Sequence, residues 1–321
     1  MLRKLVVLLI NLLFINIVLA DNYSKETQTT DFVVTPSVAY RYDVFKWSIC
    51  DKYFENKKRS ELVWENHIIQ PSIKIETEPK SKQFTFLGQA KYGYILKNQS
   101  KSWDYDWQVY KTKTSNIISE PESKTKSTVK GNILDLSGAV GYSVNLFNNN
   151  LLTFYVGYEY SDYRNKNYGV LQQVKNTNDL LHDFNKLVAK YYFKTQSPWI
   201  GLSVKTPVSD KFSIIPTIKF YSFKYAGKGY WLLRTDLQQN PSFKDTAKGN
   251  SFGFDIDLLY KYSDSMDFKI NIETKRLKIK KGKQQTFEAA DIRGPEVVTT
   301  NKLFALSLIS SSITGGFRYK F

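Results

Sequence analysis

The sequence predicts an all-β fold: ten antiparallel strands closed up-and-down into a barrel that crosses a membrane. Three observations carry this. The last residues, Leu303 to Phe321, alternate strictly, with Phe321, Tyr319, Phe317, Ile313 and Ile309 on one face and Lys320, Arg318, Thr314, Ser312 and Ser310 on the other. A period of two over that length is a strand between unlike solvents, lipid outside and water inside; an amphipathic edge strand of a soluble β protein is the alternative. The first twenty residues join a charged start, Arg3 and Lys4, to an apolar run, Leu5–Leu19, before Ala20-Asp21. That is the build of a removable signal peptide and too short for a comfortable membrane helix. Strand-like runs then recur along the chain, joined alternately by short turns and long loops, as in a membrane barrel.

In order, Asp31–Trp47 is the first strand, followed by a charged loop from Cys50 to Arg59. Glu61–Glu76 returns with Ile69, Pro71, Ile73 and Ile75 on one face. A turn at Pro79-Lys80-Ser81 leads into Gln83–Leu96, and a long polar loop runs from Lys97 to about Thr128. Ile133–Leu146 and Leu151–Tyr163 flank a tight turn at Asn148-Asn149-Asn150. The loop Arg164–Asp183 precedes Phe184–Lys205; a turn at Val208-Ser209-Asp210 precedes Lys211–Tyr225. After the loop Ala226–Lys248, Ser251–Tyr262 alternates most cleanly, Phe252, Phe254, Ile256, Leu258 and Tyr260 against Gly253, Asp255, Asp257 and Lys261. Past Ser263-Asp264-Ser265, Phe268, Ile270 and Ile272 oppose Lys269, Asn271, Glu273 and Lys275, and the loop Lys280–Lys302 leads to the last strand. An even number of strands puts both ends in the periplasm. Asp135, Glu159, Asp255, Asp257, Lys261, Lys269, Glu273, Lys275, Arg318 and Lys320 fall on the lumen phase, where opposite charges pair and plug a narrow barrel.

Composition fits this reading. Mean hydropathy is −0.39, as alternating strands average out, while 22 Tyr and 21 Phe supply interfacial girdles. One domain, residues 21–321, is the economical organisation. The formal charge is +16. Export argues against nucleic acid as the partner; outer-membrane lipid, lipopolysaccharide included, a peptide or a host surface suit it better. A lone cysteine, Cys50, excludes an internal disulfide. No Gly-rich phosphate loop, metal-spaced His/Cys cluster or Ser-His-Asp set is present, so no cofactor or metal is expected. A monomer is expected.

Trp103-Asp104-Tyr105-Asp106-Trp107, placed in the second outer loop, is the constellation with chemistry. Carboxylates two residues apart in an extended segment point to one side, where they share a proton or orient a water between them. An acidic loop with aromatic anchors at the membrane rim is the plainer reading. The ten-strand layout, Ser60-Glu61-Leu62-Val63-Trp64, Asp104-Tyr105-Asp106-Trp107, Ser197-Pro198-Trp199-Ile200-Gly201-Leu202 and the aromatic C-terminus together resemble the omptins, aspartic-type outer-membrane endoproteases of Gram-negative bacteria. The resemblance implies that Asp104 and Asp106 are half of a catalytic site. Omptins complete it with Asp-x-His in the fourth outer loop, but Gly227–Arg234 here has no histidine. His67 falls on the lipid-facing phase; His182, beside Asp183 in the third loop, is the remaining candidate base. The acid that omptins carry on the first strand is replaced by Trp47. The omptin lipopolysaccharide motif is matched in part by Tyr158, Tyr160 and Asp162, with Lys194 as the basic position. The expectation is a surface barrel with a degenerate catalytic site that binds a ligand at its rim. An active endopeptidase using Asp104, Asp106 and His182, or a small porin, are the alternatives.

Overall fold

In lipid every backbone N–H and C=O must find a partner within the protein, so strands survive there only in a closed ring. The computed structural model describes residues 31–51, 53–54, 57–78, 83–113, 116–146, 150–174, 180–290 and 296–321; the expected signal peptide and the turn residues 79–81, 148 and 149 lie outside them. Eleven segments form one antiparallel sheet: β1 (Asp31–Cys50), β2 (Lys58–Glu78), β3 (Phe84–Ile95), β4 (Lys101–Lys111), β5 (Ile117–Asn145), β6 (Leu151–Val174), β7 (Leu180–Pro207), β8 (Phe212–Trp231), β9 (Phe243–Lys261), β10 (Met266–Glu288) and β11 (Val297–Lys320). β3 and β4 share one position between β2 and β5, so the ring has ten staves, as the sequence predicts. The C-terminal strand closes it, pairing β1 from Val33↔Lys320 to Ile49↔Leu303.

A belt of exposed apolar side chains girdles the ring, among them Val38, Ile73, Val156, Ile200, Phe220, Ile270 and Ile313. Inside that belt the lumen is an ionic lattice. Arg41 binds Asp43 and Asp135 at 2.8 and 2.7 Å; Lys91 binds Glu273, Lys219 binds Asp255, Lys269 binds Asp257 and Lys275 binds Glu159. Arg318 reaches Glu76, Glu78 and Asp267. The predicted lumen charges are therefore paired, and a cavity of about 120 Å³ remains among them. Lys261 is the exception in place: it sits at the exposed periplasmic end against Asp264.

Towards the extracellular end the interior becomes an aromatic core. Phe193 stacks on Tyr163 and Phe45 with ring centroids 4.3 and 4.6 Å away, and Trp64 stacks on Tyr191 at 5.0 Å. Here the strands run far beyond the sequence expectation. Most of each long outer "loop" at 97–128, 164–183, 226–248 and 280–302 is ladder. The cause is a change of solvent: above the belt the outer face meets water and the inner face packs, so the alternation continues in opposite phase. Phe45, Trp47, Phe223, Tyr225, Ala247 and Leu277 point inward and buried, while Lys46, Lys224, Lys248, Arg276 and Lys278 point outward and exposed.

Candidate functional site

The stave formed by β3 and β4 is interrupted at residues 96–100. There Leu96 N donates to His67 O, Ser100 N donates to Leu96 O, and the Ser100 hydroxyl accepts His67 N at 2.9 Å. β4 then rejoins β2, with Leu62↔Asp104 and Ser60↔Asp106, and pairs β5 through Asp104↔Thr125 and Asp106↔Ser123. Asp104 and Asp106 thus lie on a strand rather than in a loop, and their shared parity aims both into the mouth of the barrel. The Ser60 hydroxyl is 3.4 Å from Asp104 Oδ1 and the Ser123 hydroxyl 3.1 Å from Asp106 Oδ2. On the outer face of β4, Tyr105 stacks near Trp107, with Lys124 over one ring and Lys58 over the other.

The β8–β9 connection closes over the dyad. Gln239 Nε2 donates to the carbonyls of Trp231, Arg234 and Leu237, and the Ser242 hydroxyl accepts Trp231 N. Trp231 packs edge-on against Phe243 and Tyr191. Arg234 clasps Asp236 with two hydrogen bonds of 2.7 and 2.5 Å. Burial, and then the neighbouring Asp106 charge, push the Asp104 carboxyl well above the usual carboxylate range, against the pull of the Trp231 indole, Ser60 and Arg234. Arg234 is itself held protonated, first by Asp236 and also by the two aspartates.

Such a pair can hold a proton and orient a water, but peptide hydrolysis needs a group that takes a proton and gives it back near neutral pH. The group facing the dyad is a guanidinium, which does not release its proton. His67 is on the outer wall, its Nδ1 2.5 Å from the Tyr40 hydroxyl and its ring 4.9 Å from that of Tyr42. His182 pairs opposite Val170 in β7, three staves from β4, roughly 14 Å along the sheet at ~4.8 Å per strand; its side chain lies outside the described residues. Among the described residues no group of three or more His, Cys, Asp or Glu is placed to hold a metal.

Trp47 is buried in the aromatic core, and beside it lies an acid that sequence reasoning missed, Asp245 on β9. Tyr191 donates to Asp245 Oδ2 at 2.5 Å and sits 2.6 Å from the Tyr225 hydroxyl. Among the described residues no hydrogen bond of standard geometry reaches Asp245 Oδ1 or Trp47 Nε1, although the indole and Gln284 lie close enough to favour the charged carboxylate. Burial raises the Asp245 carboxyl to about 7, while Tyr191, Gln284 and Trp47 temper the effect. Asp245 went unseen because its stretch reads as a polar loop; Ser123, Trp231 and Arg234 have no spacing relation to the dyad that a sequence displays.

At the top of the apolar belt, Lys194 Nζ lies 3.5 Å from Asp162 and over the Tyr160 ring, and Arg164 reaches the same carboxylate. Tyr158 pairs opposite Pro198, four residues along β7 from Lys194, so Tyr160, Asp162 and Arg164 form the cluster and Tyr158 stands apart from it.

The model of the Protochlamydia outer membrane protein family (Pom) matches residues 36–321. No curated protein matches the chain in sequence. Among solved structures, the outer membrane protease OmpT from Escherichia coli is similar at 16% identity and a TM-score of 0.69, over 93% of this chain and 100% of that one. The translocator domain of the autotransporter NalP from Neisseria meningitidis is similar at 10% identity and a TM-score of 0.39, over 92% of this chain and 90% of that one. At such identities the OmpT likeness establishes the shared barrel fold.

Proposed function

This chain belongs to the Protochlamydia outer membrane protein family, an outer-membrane barrel, and from that premise we propose that it binds a polypeptide at its extracellular rim without cleaving it. One observation carries the reading: the Asp104–Asp106 dyad, aimed into the mouth, is opposed by Trp231 and the Asp236-bound Arg234. The site is an omptin-like half-site whose proton-cycling partner has been replaced by a fixed cation. Loss of a general base alone costs on the order of 10²–10⁴ in rate.

The test is incubation of the purified barrel, in detergent with outer-membrane lipid, with a panel of quenched fluorogenic peptides containing basic residues. No turnover above a protein-free control is expected. Robust turnover that disappears in the Asp104→Asn/Asp106→Asn double variant overturns the reading in favour of an endopeptidase, and His182→Ala then asks whether that histidine is its base.

A second reading concerns lipid. Lys194 and Arg164 are two cations, more than half exposed, sharing the single Asp162 at the belt's upper edge, where lipid phosphates lie. We infer that they hold a lipid phosphate, lipopolysaccharide being the abundant source. Lys194→Ala/Arg164→Ala is expected to lower the lipopolysaccharide retained through purification several-fold; unchanged retention counts against it.

A further inference from the structure

Among the described residues the extracellular wall has a gap. Asp106, Ser60, Ile49 and Leu303 lie on one row across β4, β2, β1 and β11. Above that row β1 ends at Cys50 and β2 begins at Lys58, with Asp51 N donating to Lys57 O and Asp51 Oδ1 accepting Tyr53 N and Phe54 N. Their neighbours continue. β4 runs on to Lys111, backed by β5 through Trp107↔Pro121 to Lys111↔Ile117, and β11 extends up to Val297, backed by β10 through Lys302↔Lys283 to Val297↔Glu288. Five or six residues at ~3.3 Å each make these walls about 17–20 Å tall, and three strand spacings put them about 14 Å apart. The opening is two strands wide.

Both walls present strand edges to it. Among the described residues no strand pairs with Gln108 and Val109 of β4 on that side, or with Val297, Val298, Thr299, Thr300 and Asn301 of β11. An edge of β-branched residues is an efficient template for a further strand. Val297 and Val298 are exposed, and Tyr53, 79% exposed, stands on the sill. The charge around the opening is basic on balance: Lys57, Lys111 and Lys302 flank it against an exposed Glu296, while Arg59 is paired with Glu122 at 3.9 Å and donates to Trp107 O. Identical basic edges repel, which disfavours a second copy as occupant and selects an acidic one.

We propose that this notch is a strand-addition site that takes an acidic, extended segment of a partner polypeptide, as two strands completing the wall between β4 and β11. Main-chain pairing supplies affinity, and the flanking lysines supply the choice of charge. The inference rests on the rim-binding reading and specifies how the partner is held.

The probe is a fluorescent hairpin peptide of alternating Glu and Thr/Val, titrated against the purified barrel. Its Lys-for-Glu counterpart and an N-methylated version that cannot pair its backbone serve as controls. The acidic hairpin is expected to bind at least tenfold more tightly than either. Val109→Pro/Thr299→Pro is expected to weaken it at least tenfold. Lys111→Glu/Lys302→Glu, which leaves every backbone group in place, is expected to reverse the charge preference. Equal binding of acidic and N-methylated hairpins, absence of binding by the acidic hairpin, or an undiminished affinity in both variants overturns the proposal. So does self-association of the barrel abolished by the proline variant, which would make a second copy the occupant. Binding that persists while the peptide is cut by an Asp104/Asp106-dependent activity leaves the notch standing and removes only the non-cleaving function.

Discussion

Asp245 holds its proton to about pH 7, whereas an aspartate in an unfolded chain releases it near ~3.9. Between those values the folded protein binds more protons than the unfolded one, so stability falls as pH rises through that window. Three pH units correspond to on the order of 4 kcal/mol, the cost of leaving a bare charge among Trp47, Tyr191, Tyr225 and Gln284. Asp245→Asn keeps an acceptor for Tyr191 and never ionises. Urea unfolding in detergent micelles is expected to show the wild type losing stability from pH 5 to pH 8 by more than the variant does, and the variant the more stable at pH 8. Parallel curves for the two proteins would show that Asp245 is ionised in the fold. Site legibility divides along the same line. Asp104 and Asp106 are visible in the sequence because their relation is local, two residues on one strand. Asp245 and Arg234 acquire their surroundings from β1, β4, β7 and β8, elements distant in sequence, and residue type alone carries no trace of that.

At the level of strands, the membrane-crossing part of each was legible and the extracellular part was not. The turn-and-loop rhythm, the ten staves and the closure of β11 on β1 follow from an apolar outward phase. That phase ends where Tyr42 and Val44 give way to Lys46, and where Phe220 gives way to Ser222 and Lys224. A reader following the lipid-facing residues stops there and writes "loop". The alternation itself continues, carried by Phe45 and Trp47, or Phe223 and Tyr225, on the opposite face. The lesson is physical: a barrel that rises out of a membrane turns inside out in polarity while keeping its period of two. The upper storey must then behave like the core of a soluble protein. Phe193→Ala, which removes a ring stacked on both Phe45 and Tyr163, is expected to cost about 3–5 kcal/mol. Lys228→Ala, on the exposed face of β8, is expected to cost less than about 0.5 kcal/mol. Comparable losses from the two in denaturant titrations would mean that the upper storey is not packed.

The whole molecule bears on the porin alternative, because its interior is closed twice in series. The lower closure is ionic: Arg41, Lys91, Lys219, Lys269, Lys275 and Arg318 each hold carboxylates from strands elsewhere on the ring or from their own neighbourhood. Breaking one such buried pair by removing a single partner costs about 3–5 kcal/mol, so the lattice does not part under a modest voltage. The upper closure is the aromatic core of Phe45, Trp64, Tyr163, Tyr191, Phe193 and Tyr225, whose rings pack against one another across the bore. Conductances in series are limited by the smaller one. The wild-type barrel is therefore expected to be silent in planar bilayers. Lys275→Ser/Glu159→Ser, which removes both partners of one lumenal pair and so opens part of the lower storey without stranding a charge, should be silent too, because the aromatic storey above is untouched. Current should appear only when that variant also carries Phe45→Ala and Phe193→Ala. Steady single-channel steps from the wild-type protein would restore the pore reading, and steps from the lumenal variant alone would show that the aromatic storey does not seal.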